Sequence, residues 1–326
     1  MLLSCGDALI DFLPGTARGG RSTYVPSVGG SCLNIAVAMG RLGAPAGFVG
    51  GLSTDFFGEM IVRHATGSGV NLQFSSRAAL GTTLAFVSTL GGEPQYVFYD
   101  ENTASRSWAH EPGSIDFAQV DAIHFGSTTL VHEDVAGRTL SVLEEAKGLA
   151  TISFDPNCRP RIVRDKGDYV ERMTGFARRS DIVRMSDIDF DYLYGHRDFE
   201  AKASELFVAG IALFIVTQGG NNVLAWHRQA GAIEVAQTPI RTKDTVGAGD
   251  TFQGALLVAL RELGRIRLNA LAAISPAQLA EAIAFASRCA GITCQRVGAD
   301  PPGRADIPAK QWDDLRSSIR QRAPAD

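Results

Sequence analysis

The chain has 326 residues, 45% of them hydrophobic and 20% charged, with a net charge of −4. That supplies a substantial core for one large domain or two, and it excludes a strongly basic field suited to nucleic acid or an anionic membrane. Five cysteines, at positions 5, 32, 158, 289 and 294, include no CxxC pair, which argues against a disulfide scaffold or metal knuckle and for small buried side chains in a reducing compartment.

"MLLSCGDALIDFLPG" opens the chain as a strand ending at Asp11. It lacks a basic start, and Asp7 and Asp11 interrupt it, so it does not read as a signal peptide. No run of 18 apolar residues follows, and no spanning helix is expected. "SCLNIAVAMGRLG" is helical, with Leu33, Ala36, Val37 and Gly40 on one face, Arg41 in the last turn and Gly43 as the stop. "AGFVGGLS" is a strand and "DFFGEMIVRHATGSG" a helix. "TTLAFVSTL" and "QYVFYDE" are strands joined by "GGEP", a hairpin signal. Strands at "AIHFGS", "ATISFDPN", "DIVRMS", "ALFIVTQGG" and "VLAWHR" then alternate with helices near 133–148, near 168–179 and at "FEAKASELFVAG". Helices over 251–263 and 276–293 follow, and "RQRAPAD" forms a frayed tail. The alternation predicts an α/β fold with a mostly parallel sheet covered on both faces. "DFLPGTARGGRSTYVPS" and the hairpin at 82–100 break the alternation and read as a β lid over the strand ends, where open α/β sheets bind ligands.

"DTVGAGDTFQGALLVAL", Asp244 to Leu260, is the most informative stretch. A dinucleotide fingerprint needs glycine where Phe252 stands, and GxxxxGK[ST] occurs nowhere. What remains is Gly247, Ala248, Gly249 and Asp250 opening a helix. The first N–H groups of a helix lack internal partners, and the helix dipole makes that end positive, so a phosphate can approach. A carboxylate repels phosphate, so Asp250 makes sense as a base for a hydroxyl that attacks the phosphorus. The alternative is a plain helix cap. A second group is "VGGSCLN": Gly29 and Gly30 precede a helix with Asn34 one turn inside, and Asp11 stands on the first strand. A carboxylate, an amide and open backbone suit the adjacent hydroxyls of a sugar, whereas a turn and a core amide are the plain alternatives. The six histidines show no metal-ligand spacing, the three tryptophans form no stacking platform, and Ser127 lacks a GxSxG setting.

"GGSCLNIAVAMGRLGAPAGFVGGLSTDFFGEMI" resembles the N-terminal glycine motif of ribokinase-like (PfkB-type) carbohydrate kinases, and "DTVGAGDTFQGALL" resembles their C-terminal signature. The similarity runs in order along nearly the whole chain. "GDALIDFLPG", "TTLAFVSTL…FYDENTA", "IHFGSTTL", "ISFDPNCRPRI" and "CQRVGADPP" are similar to segments of bacterial fructokinases. The resemblance implies a three-layer α/β/α sandwich, one kinase domain over 1–326, with the lid made from inserts at about 11–28 and 82–104. It implies that Asp11, Gly29, Gly30, Asn34, Phe98 and Arg159 hold the sugar, and that Gly247, Ala248 and Gly249 form the anion hole beside the base Asp250. Thr217, Gly219, Gly220, Ala286 and Ser287 would border ATP.

The resemblance further implies Mg²⁺ and possible K⁺ as ions. The family's Asn-x-x-Glu motif, which organises magnesium and its waters, is matched by "SDID", giving Asp189 a water-mediated role. Asp244 would neighbour a monovalent cation. Asp100 stands where fructokinases often carry a basic residue. The expected activity is ATP-dependent transfer to a primary sugar hydroxyl, with fructose first, in a cytoplasmic homodimer joined through the lid. A kinase for 2-keto-3-deoxygluconate, ribose or a nucleoside is the alternative. An acidic substrate would use Arg18 or Arg21, and a regulator without turnover belongs to another class.

Overall fold

In the computed structural model, which describes residues 1–16, 20–88 and 95–320, the apolar runs assemble into a nine-stranded sheet. Its spatial order is Gly231–Val235, Val223–His227, Leu213–Thr217, Ile182–Ser186, Thr151–Asp155, Ala122–Gly126, Leu2–Cys5, Ala46–Val49 and Val70–Asn71. Pairing is parallel from Val70–Asn71 to Leu213–Thr217, and the last two pairings are antiparallel. Alternate side chains enter opposite cores. Leu2, Ile182 and Ile215 pack with helices Ser31–Arg41, Ala248–Glu262 and Pro276–Cys294. Leu3, Val183 and Val216 pack with helices Glu133–Ala146, Lys166–Ala177 and Phe199–Ala209 on the other face. Both faces are therefore apolar, which is why these strands read as continuous runs rather than alternating ones.

The opening run is not one strand. It divides at Gly6 and Asp7 into Leu2–Cys5 in the large sheet and Leu9–Thr16 in a second sheet. Gly6 has φ 153°, and a Cβ there would lie 2.4 Å from Cys32 Sγ, so the chain can turn only with glycine at that point. Asp11 thus sits inside the second strand, not at the end of the first. "AGFVGGLS" likewise divides into Ala46–Val49 and Gly51–Ser53, the latter pairing with Ser76–Ala78. The structure adds strand Gly231–Val235 and helices Asp187–Tyr194 and Ala309–Arg320 to those expected.

The second sheet has the order Ser22–Gly29, Leu9–Thr16, Leu84–Ser88, Gln95–Tyr99. Asp11 pairs with Ser27 and with Ala85, and Ala85 pairs with Phe98. Directly paired residues share a face, so Ser27, Asp11, Ala85 and Phe98 form one row across the sheet. The neighbouring row, Pro26, Phe12, Phe86 and Val97, faces the opposite way. There Phe12 stacks on Phe86 at 4.5 Å, and Tyr24 and Tyr99 meet Phe86 edge-on. The "GGEP" turn, Arg18 and the terminal "QRAPAD" lie outside the described residues.

Candidate active site

Helix Ala248–Glu262 starts at Gly247, whose φ of 75° is left-handed. A Cβ there would lie 2.6 Å from that of Ala299, so both conformation and space require glycine. The Ala248 N–H already donates to the Thr245 carbonyl at 3.2 Å, so of the three expected anion donors this one is engaged. Gly249 lies in the open first turn of the helix. Behind it stands Arg184, whose Nη1 would be 3.0 Å from a Cβ on Gly249. Arg184 is buried, donates to Asp155 Oδ2 at 2.5 Å and to Thr217 Oγ1 at 2.5 Å, and faces the Phe252 ring. It places a cation under the helix end that carries the partial positive charge.

Asp250 meets the N-terminal motif directly. Its Oδ1 accepts from Ser31 Oγ at 2.6 Å and its Oδ2 from Asn34 Nδ2 at 2.9 Å. Burial raises its pKa, opposed by the Ser31 and Asn34 hydrogen bonds and by the Arg159 charge. Asp250 therefore reaches across to another helix, whereas a side chain that only capped its own helix would accept from that helix's N–H groups. Helix Ser31–Arg41 begins after Gly30, which has φ 99°. A Cβ at Gly30 would lie 2.7 Å from the Asp7 carbonyl oxygen. One residue earlier, a Cβ at Gly29 would lie 2.1 Å from Asp11 Oδ2. The two glycines let the lid strand and the helix close on one another with Asp11 between them. Burial and the Asp7 charge push the Asp11 pKa up to about 7, with Arg159 pulling it down and Asp250 adding to the rise.

Arg159 leaves strand Thr151–Asp155 by a sharp turn in which Asn157 has φ 39°. Its Nη1 donates to Asn157 Oδ1 at 2.5 Å and to the Cys158 carbonyl at 3.0 Å. Asp11, Arg159, Asp250 and Asn34 thus form one cluster: Arg159 and Asp250 both act on the Asp11 charge, and Asn34 bonds Asp250. Phe98 stands in the Asp11 row, and Tyr96, two residues before it on the same strand face, stacks on Phe98 at 6.1 Å. A broad cavity lined by Arg106, His132, Asp165 and Arg172 opens elsewhere and includes none of these four residues. Asp100 turns away to accept from His132 Nε2 at 2.8 Å, with Arg106 at 3.8 Å. The His132 bond first, and then both charges, hold the Asp100 carboxyl below the usual range.

On the nucleotide side the expectations divide. Thr217 ends its strand and accepts from Arg184, and Gly219 follows with φ 58°. Gly220 borders the same turn. Ala286 is 0% exposed in the core, so its side chain borders no open pocket; the helix face turns it inward. Ser287 beside it is part-exposed and accepts from Gln237 Nε2 at 2.9 Å. Asp189 is a helix-capping residue: its Oδ2 accepts from Ser186 Oγ at 2.7 Å and its Oδ1 from the Cys158 N–H at 2.9 Å. Oδ2 belongs to a capping box with Ser186, while Oδ1 is taken by the Cys158 N–H, so both oxygens are engaged. Asp244 accepts from the Val246 N–H at 3.1 Å and the Gly298 N–H at 2.8 Å, tying two loops together.

Sequence reasoning passed over Asp7, Ser31, Asp155, Asn157 and Arg184. Asp7 accepts from the Cys32 N–H, Ser127 Oγ and Thr128 Oγ1, joining three segments. Arg184 carried a signal, a charge inside the apolar strand "IVRMS". The hydrogen bonds of Ser31 carried none.

A fructokinase of Rhizobium leguminosarum bv. trifolii is 34% identical over 80% of this chain and 80% of its own length. Fructokinase-1 of Oryza sativa subsp. japonica is 31% identical over 92% of this chain and 94% of its own. The crystal structure of the ATP-bound fructokinase from Xylella fastidiosa superposes with a TM-score of 0.84 at 26% identity, covering 98% of this chain and 99% of that one. The family model for pfkB family carbohydrate kinases matches residues 1–305, and the chain belongs to that family.

Proposed function

We propose that this chain is an ATP-dependent fructokinase, a single kinase domain that transfers the γ-phosphoryl group to a primary hydroxyl of D-fructose. The observation that carries the reading is the Asp250 carboxylate, at the head of a glycine-opened helix, hydrogen-bonded to Asn34 and close enough to Asp11 for their charges to act on each other. The ketose would lie under the lid row of Asp11 and Phe98, with Asp11 accepting its hydroxyl protons. The reacting hydroxyl would donate to a remaining lone pair of Asp250. As the O–P bond forms and the bond to the departing ADP oxygen breaks, that proton passes to Asp250. The Gly249 N–H and the Arg184 charge behind it would meet charge on the phosphoryl oxygens. Closing the lid would exclude water as a competing acceptor.

Among the described residues no group of three or more His, Cys, Asp or Glu side chains forms a metal cage. Mg²⁺ fits as an ion carried on the ATP phosphates with its own waters, neutralising phosphate charge. Asp189, both of whose oxygens are engaged, would act at most through such a water. The free lone pairs of Asp244 suit a monovalent cation such as K⁺. Among the described residues no helix is long and apolar enough to cross a membrane. A cytoplasmic enzyme fits the free cysteines. The aromatic outer row of the lid, with Val97 55% and Tyr99 61% exposed, suits a homodimer; a monomer mass in light scattering would remove that part.

Measuring ADP release over a panel of fructose, ribose, nucleosides and 2-keto-3-deoxygluconate tests the reading. Turnover confined to an acidic sugar would replace fructose by that substrate, and none at all would remove the enzyme.

A further inference from the structure

Ser31 is the first residue of helix Ser31–Arg41; the N-cap before it is Gly30, which has no side chain to cap the helix. The buried Ser31 hydroxyl is one link in a chain of hydrogen bonds. Arg159 Nη1 donates to Asn157 Oδ1 at 2.5 Å, Asn157 Nδ2 donates to Ser31 Oγ at 2.7 Å, and Ser31 Oγ donates to Asp250 Oδ1 at 2.6 Å. The direction is over-determined. A guanidinium has no acceptor, so Asn157 must offer it the amide oxygen and turn its NH₂ to Ser31. Ser31 then has only its own proton to give, and gives it to Asp250. Asn157 holds its place with φ 39°, a left-handed conformation that asparagine adopts more readily than other non-glycine residues.

We propose that Ser31 is a positioning residue for phosphoryl transfer: its hydroxyl, polarised through Asn157 by Arg159, fixes the Asp250 carboxylate in one orientation and in its anionic form. The proposal rests on the reading of Asp250 as the base. Bonds that all point one way strengthen each other in a low-dielectric interior. The carboxylate needs such support, because Asp7 from the first turn and Asp11 from the lid both face it, and Arg159 is the cation that opposes them. Asn34 holds Oδ2 and Arg184 lies behind the helix end. Ser31 keeps its own proton throughout; the sugar hydroxyl's proton is the one Asp250 receives.

The test is the pH profile of kcat for Ser31→Ala, with Ser31→Thr as the variant that returns a hydroxyl. Removing a hydrogen bond to a charged acceptor should move the acid limb up by about 1–2 pH units, leave the sugar KM above that limb within about threefold, and be reversed by threonine. A carboxyl ¹³C titration of Asp250, assigned by difference from Asp250→Asn, should move by the same amount in the folded protein without any turnover. Superimposed profiles for wild type and Ser31→Ala would overturn the proposal, as would an Ser31→Thr profile shifted like that of alanine. If Asp250→Asn turns over normally, the base reading fails instead; an inactive Asp250→Asn beside an unshifted Ser31→Ala refutes the relay alone.

Discussion

Gly29→Ala turns the closeness of Asp11 and the first glycine turn into a measurement. The new Cβ would lie 2.1 Å from Asp11 Oδ2, 3.1 Å from its Cγ and 3.3 Å from Leu9 Cδ1. Non-bonded heavy atoms settle at about 3.5–4 Å, so the carboxylate must swing away by more than about 1 Å. The backbone of Asp11 cannot follow, because it is paired to Ser27 on one side and Ala85 on the other. The carboxylate alone rotates, and it leaves the position from which it would accept sugar hydroxyls. Losing one charge-assisted hydrogen bond costs about 1.5–3 kcal/mol, which is roughly a 10- to 150-fold rise in sugar KM. The KM for ATP should stay near wild type, since the displaced group lies on the sugar side. Gly30→Ala makes the informative contrast: φ 99° and a 2.7 Å approach to the Asp7 carbonyl oxygen put strain into the backbone itself, and that variant should lose folded protein. The assay is ADP release against varied fructose and varied ATP, with melting temperatures as the folding control. A folded Gly29→Ala with sugar KM within twofold of wild type would refute the placement of Asp11 against the sugar.

The raised pKa of Asp11, about 7, gives a pH dependence. The ionised form accepts hydroxyl protons, so kcat/KM for sugar should fall about tenfold per pH unit below roughly 7, and Asp11→Asn should be low and flat across that range. A limb near pH 4 would contradict it. Gly249→Ala should displace the Arg184 guanidinium, 3.0 Å from the added methyl, and raise the KM for ATP by roughly tenfold, the scale of one altered charged contact; an unchanged ATP KM would place the phosphates elsewhere.

Much of this fold was legible because its strands are apolar on both sides and its helices are punctuated by glycine. Helix Ala248–Glu262 follows from Gly247 before it and the periodic "FQGALLVAL" within it. The division at Gly6 and Asp7 was illegible because both halves are apolar; only the packing against Cys32 decides that the chain turns there. Asp250 and the two-glycine turn stood out as small residues and a carboxylate at helix openings. Ser31 did not, since its bond to Asp250 spans 219 positions and that from Asn157 spans 126. Local spacing carries no trace of such contacts. The 0% exposure of Ala286 was illegible for a related reason: spacing alone does not tell which helix face packs inward once the helix is rolled against its neighbours.

The account turns on whether Asp250 takes the proton of the attacking hydroxyl. Turnover of Asp250→Asn with saturating fructose and ATP measures this most directly. The predicted result is a kcat lower by about 10²–10⁴ with both KM values within a few-fold of wild type. A folded Asp250→Asn protein that keeps wild-type kcat would contradict it.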